Sequence, residues 1–225
     1  MARILAAALA ALALALPTAA RAQGCIGAPL AEGTRSVQIQ GSTAVYSSAP
    51  EVEGMGIGAA FRHNLGGLLA YSAEYARASV GDNDVPLQWG GVMLALRAPL
   101  ARHGVAVCAR GGVMASRLSD DPSATELENV TFPLGIVLEL PIALREGRAL
   151  VPYVAPQYLF SRTRGEVLGL DYERSGDAPG VEAGLGLRVG RAALVLGGSF
   201  SDLADDLVTA AVPAQSLFVR VGVVF

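Results

Sequence analysis

The last ten residues, Ser216 to Phe225, read SLFVRVGVVF, and their side chains alternate in kind. Leu217, Val219, Val221, Val223 and Phe225 share one face, while Phe218, Arg220, Gly222 and Val224 share the other. A period of two is that of a strand, whose successive side chains point to opposite sides. The same period recurs along the chain in short pieces. Although 52% of the residues are hydrophobic, the longest charge-free stretch beyond the N-terminal run is Ser36 to Pro50, which contains Gln38, Gln40 and Ser42. A membrane-spanning helix needs about 20 mostly apolar residues, so none is expected in this part of the chain.

High hydrophobicity divided among short alternating segments with 27 glycines fits strands that each show every second residue to lipid. About ten such segments of roughly 9 to 11 residues can be placed. They lie near 36–46, 55–62, 69–76, 87–98, 105–114, 132–140, 150–162, 181–188, 193–201 and 216–225. Short turns at 63–67, 99–103, 142–147 and 190–191 alternate with longer polar loops at 47–53, 81–86, 119–129, 163–180 and 202–214. Two segments are irregular. Gly90-Gly91 suggests a bulge that shifts the phase of the fourth, and Pro152 and Pro156 cannot donate to a ladder in the seventh. The expected fold is all-β, a single antiparallel up-and-down transmembrane barrel of about 10 strands, with 8 strands as the alternative.

At the other end, Arg3, the apolar run Ile4 to Leu16, and Ala20-Arg21-Ala22 have the form of a cleaved export signal. The domain reading is therefore signal peptide 1–22, a lead-in 23–35 and a barrel domain 36–225. A C-terminal phenylalanine preceded by apolar residues at alternate positions, here Val219, Val221 and Val223, resembles the assembly signal of small outer-membrane β-barrel proteins. That resemblance covers nearly all of the chain after the signal. It implies insertion by the barrel assembly machinery, contact with outer-membrane lipid and lipopolysaccharide, and roles in envelope structure, adhesion or slow solute passage. An even strand count with short periplasmic turns puts both termini in the periplasm. Tyr46, Trp89, Phe132, Phe160 and Phe200 at the outer strand ends, with Phe61 and Phe225 at the inner ends, would form two aromatic girdles.

By alternation Arg62, Glu74, Arg110, Glu139, Glu182, Arg188 and Arg220 point into the lumen, and Arg97 joins them if the fourth strand keeps its phase. Charges in a narrow barrel are costly unless paired, so this set reads as a structural ion-pair network; the lining of a small solute path is the alternative. Export also makes a Cys25–Cys108 disulfide expected. Cys108 lies within roughly 17 Å of the inner rim along its strand. An extended chain from Cys25 to the first strand reaches about 33 to 36 Å. A free or lipidated Cys25 is the alternative.

Little in the chain points to catalysis. The two histidines, His63 and His103, both fall in inner turns, away from the acidic outer loops. No loop has the D-x-D-x-D-G spacing of a calcium site, and GxSxG, HExxH and phosphate-cradling glycine motifs are missing. The reading is a non-enzymatic barrel without cofactor or metal and without nucleic-acid partners. Its role is structural or surface-interacting; a narrow pore is the alternative, and a lipid-modifying membrane hydrolase the third reading.

Overall fold

A sheet surrounded by hydrocarbon has no tolerable edge, so alternating segments of this kind must pair until the sheet closes on itself. The computed structural model describes residue 25 and residues 34–48, 51–65, 68–97, 105–120, 124–145, 147–202 and 213–225. The signal segment 1–22, most of the lead-in, the 99–103 turn with His103, and residues 203–212 lie outside the described residues. The strands are β1 (Arg35–Ser48), β2 (Glu51–Asn64), β3 (Leu69–Val80), β4 (Val85–Arg97), β5 (Ala106–Asp120) and β6 (Thr125–Glu139). They continue with β7 (Ile142–Arg145), β8 (Arg148–Val167), β9 (Leu170–Val189), β10 (Ala192–Ser201) and β11 (Gln215–Val224). Apart from β6 and β7, neighbours in sequence pair antiparallel; β1 pairs with β11, and β6 pairs with β8. The wall is thus a closed ring of ten strands. Short β7 continues β6 past Pro141 in the same register, pairing with Ala149 and Leu150 on the edge of β8 that β6 occupies farther along.

The register fixes the shape. Partners followed once around the ring run from Glu139 through Tyr153, Gly184, Gly197, Phe218 and Ser42. They continue through Gly56, Ala78, Leu87 and Leu118 to Leu127, again on β6. The path closes about twelve residues from its start, which at the usual strand spacings gives a tilt of roughly 40° and a backbone radius of about 10 Å. Such an interior is filled by side chains. We call the rim holding Arg35 and Phe225 the near end, where these residues exchange two 2.9 Å backbone hydrogen bonds, and the opposite rim the far end.

Alternation sorts the two faces of the wall. Ile39, Met55, Ile57, Leu94, Leu134 and Leu217 are exposed on the outside. Inside, Cys25, Ala70, Ala95, Cys108, Val137, Val195 and Val224 pack together in one cluster. A second cluster, Tyr46, Ala78, Val80, Leu87, Leu118 and Leu127, fills the lumen farther up, with Trp89 against it.

Several sequence expectations are corrected. β4 pairs with β3 and β5 without a register shift through Gly90-Gly91, so no bulge forms and Arg97 keeps the inward phase. β8 pairs with β9 without interruption through Pro152 and Pro156. The cost falls on the other side. Leu140 donates to the Pro152 carbonyl at 3.0 Å, so the even-numbered residues of β8 turn their backbone toward β6, and pairing is missing between Gly135–Gln157 and Leu138–Val154. Prolines there have no hydrogen to give. The 163–180 loop is instead the far half of a hairpin of two 20-residue strands. Leu168 and Gly169 close it with φ of 54° and 77°, the two-residue turn that suits strand twist. Finally, Tyr46 is buried inside the lumen and Trp89 packs inward, so neither belongs to an outer girdle; Phe132, Phe160 and Phe200 are exposed on the wall.

Candidate functional site

Between the two apolar clusters lies a layer of charge. Glu182 enters from β9 and is met from three other strands. Arg110 Nη1 on β5 donates to Glu182 Oε2 at 2.9 Å, and the Tyr153 hydroxyl on β8 donates to Oε1 at 2.9 Å. Arg220 Nη1 on β11 stands 3.7 Å from Oε1, while its Nε donates to Gln40 Oε1 on β1 at 2.7 Å. The Arg220 guanidinium also lies 4.0 Å from the centre of the Phe218 ring, on whose face a cation is stabilised. Arg62, 3% exposed, is within electrostatic range of Glu74, Glu182 and Arg220.

This layer spans the lumen because its members come from opposite sides of the ring. The carboxylate takes one hydrogen bond on each oxygen and has a second guanidinium close by, and this pairing offsets the cost of taking the charges from water. Glu139 is buried on β6 beside its register partner Tyr153. Arg97 and Arg188 share the inward phase but stand near the strand ends; Arg188 Nε donates to the Gly190 carbonyl at 3.0 Å. Of the eight charged residues expected inside, Arg110 and Arg220 meet at Glu182. Val219, Val221, Val223 and Phe225 of the terminal strand face outward.

On the near side of the charge layer, Cys25 and Cys108 form a disulfide with Cα atoms 5.7 Å apart. Both are buried, so the bridge holds residue 25 inside the near mouth. On the far side is a cavity of about 160 Å³ whose boundary includes Glu74, Arg110, Glu182, Arg220, Tyr46 and Trp89. One wall of it carries a second network that sequence reasoning did not single out. Asn129 Nδ2 donates to Ser161 Oγ at 2.5 Å and to Thr163 Oγ1 at 2.8 Å, and Thr131 Oγ1 donates to Asn129 Oδ1 at 2.7 Å. Tyr153 and Gln40 were missed as well. Their inward parity was legible, but neither carries a charge to draw attention.

Outside the barrel at its far half, acids and bases pair on the wall: Arg117 with Glu126, Arg162 with Glu173, and Arg164 with Glu128 at 3.2 Å. Tyr158 donates to Asp177 on the same face. These pairs are solvated and worth about 0 to 1 kcal/mol each. His63 stands at the near end, its ring 5.5 Å from that of Tyr71. Among the described residues no group of three or more His, Cys, Asp or Glu is placed to hold a metal ion.

The translocator domain of the autotransporter NalP from Neisseria meningitidis superposes with a TM-score of 0.52, covering 100% of this chain and 95% of that one at 14% identity. The chain has the fold of an outer-membrane β-barrel. Weaker likenesses are to the attachment invasion locus protein Ail of Yersinia pestis and the outer membrane protease OmpT of Escherichia coli. Ail gives a TM-score of 0.39 at 12% identity, covering 86% of this chain and 99% of that one. OmpT gives 0.45 at 8%, covering 85% and 95%. No protein-family model matches the chain, and no curated protein matches it in sequence.

Proposed function

We propose that the chain is a closed, non-enzymatic barrel of the outer membrane, with periplasmic termini and a structural or surface-interaction role carried by its far-end hairpins. The observation that carries this reading is the lumen. Glu182 draws Arg110 and Arg220 together between two apolar clusters, and the Cys25–Cys108 bridge fills the near mouth. A path for solutes would have to displace all three. The β8–β9 hairpin, with 20 residues in each strand, is about twice the 9 to 11 residues a tilted crossing requires, so it extends well beyond the hydrocarbon. Its contacts would be with lipopolysaccharide and with molecules outside the cell, and insertion would depend on the barrel assembly machinery.

The non-enzymatic part of the reading is supported by where the titratable groups stand. His63 is at the near end, and far-half acids such as Glu126, Glu128, Glu173 and Asp177 are engaged by arginine or tyrosine. Single-channel recording in a planar bilayer tests the closed state. Folded protein should give no steady, salt-dependent current steps; such steps would favour the narrow pore and overturn this proposal.

A further inference from the structure

Strand β9 is paired on both sides from Gly180 to Val189, with β8 and with β10. From Leu170 to Pro179 its partner among the described residues is β8 alone. Parity identifies the backbone groups this leaves over. Gly190 donates to the Gly147 carbonyl at 2.7 Å, and the β8–β9 register then runs unbroken to Val167–Leu170. Even-numbered residues of β9 therefore turn their N–H and C=O toward β8. Asp171, Glu173, Ser175 and Asp177 turn theirs to the open side. Pro179 stands in the same row without a donor, next to Gly180, where pairing with β10 ends at Ser201.

An open strand edge is a template for another strand. The side chains at these odd positions are on the outer face, and three of the four are acids. A second copy of β9 laid antiparallel on this edge would set Asp171 against Asp177, or Glu173 against its own copy, and like charges directly opposite are destabilising. Arg162 and Tyr158 hold Glu173 and Asp177 on the outer face, and each carboxylate keeps acceptor sites for more donors. We propose that the open edge of β9 binds an extended segment of another protein by strand addition, and that this segment carries arginine or lysine at alternate positions, facing Asp171, Glu173 and Asp177. This deepens the surface-interaction reading, on which it rests for the side from which the partner comes.

The test uses the full chain in detergent and two labelled decapeptides, one alternating arginine with threonine and one alternating glutamate with threonine. Binding is followed by fluorescence anisotropy and by amide hydrogen exchange at 171, 173, 175 and 177. The arginine peptide should bind, more weakly at higher salt, and should slow exchange at those amides. Ser175→Pro removes one donor from the open row while leaving the β8 ladder, and should weaken binding by about tenfold or more. Ser175→Ala should bind as the parent does, and both variants should keep the heat-dependent gel shift of the folded barrel. Equal binding by Ser175→Pro, or by the glutamate peptide, overturns the proposal. So does a dimer lost on Ser175→Pro, which would make a second copy the occupant, or slow exchange at the four amides without peptide, which would mean the chain covers its own edge. Failure of the surface reading shows separately: an epitope tag between Leu168 and Gly169 would then stay inaccessible on intact cells.

Discussion

Glu182 and Arg110 lie 72 residues apart in sequence and meet across the barrel with a 2.9 Å charge-assisted hydrogen bond. Both side chains are largely withdrawn from solvent, at 11% and 15% exposure, and Arg220 completes the site at 8%. Removing one member of such a set leaves the others buried without compensation, at a cost of roughly 3 to 5 kcal/mol. Glu182→Gln should therefore lower stability to urea in detergent by about that amount. Glu128→Gln, which removes the solvated partner of Arg164, should change it by about 0 to 1 kcal/mol. Coincident unfolding curves would mean that Glu182 is hydrated and the layer open.

The disulfide makes a second expectation. Cys25 and Cys108 are 83 residues apart, and closing a loop of that length removes denatured-state entropy worth about 4 to 5 kcal/mol. Reduction, or Cys108→Ala, should lower stability by up to that amount. Mass spectrometry of unreduced protein should find neither cysteine open to alkylation. Two reactive thiols, or an acyl chain on Cys25, would remove the bridge.

Strand phase was legible in the sequence because the period of two is imposed by having lipid on one side and a packed lumen on the other. That was enough to place Glu182, Arg110 and Arg220 inside. It could not say that they touch, because contact across a barrel depends on the stagger, which is a property of the whole ring rather than of any segment. Trp89 and Tyr46 show the converse. Their parity, shared with Met93 and Gln40, points inward, and it overrides the preference of aromatic residues at strand ends for the membrane interface. The far half of the β8–β9 hairpin was hidden for another reason. Beyond the hydrocarbon neither face of Leu170–Gly176 need be apolar, so its polarity resembled that of a loop.

Gly165 in that hairpin should tolerate no side chain. Its φ is 149°, and a Cβ built there would lie 1.9 Å from the Glu126 carbonyl oxygen on the neighbouring strand. Gly165→Ala must push β6 and β8 apart or twist the backbone, with strain on the order of 1 to 3 kcal/mol. We expect faster amide exchange in Glu126 and Glu128, whose backbones face β8 opposite Glu166 and Arg164, with the ionic layer undisturbed. Gly147→Ala is the comparison. It also has positive φ, at 72°, but open space around the new carbon, so only the backbone penalty of about 1 to 2 kcal/mol should appear, and exchange on β6 should not change.

The closing strand separates the demands of assembly from those of packing. Val224 is 2% exposed and belongs to the near-end cluster with Cys108 and Val137, whereas Phe225 is 60% exposed on the outer face. Phe225 also exchanges both backbone hydrogen bonds with Arg35, the last rung before the ring closes. Deleting Phe225 removes that rung and the outward aromatic side chain together, while leaving the interior intact. Val224→Ala removes interior volume and should lower stability by about 1 to 3 kcal/mol, without changing the face shown to lipid or to the assembly machinery. In cells, the deletion should reduce the folded fraction, seen as the form that migrates differently before boiling, more than Val224→Ala does. For protein refolded in detergent, where no machinery acts, Val224→Ala should be the more sensitive of the two to urea. If Val224→Ala were instead the worse of the two in cells and the milder in detergent, the outward face of β11 would not carry the recognition.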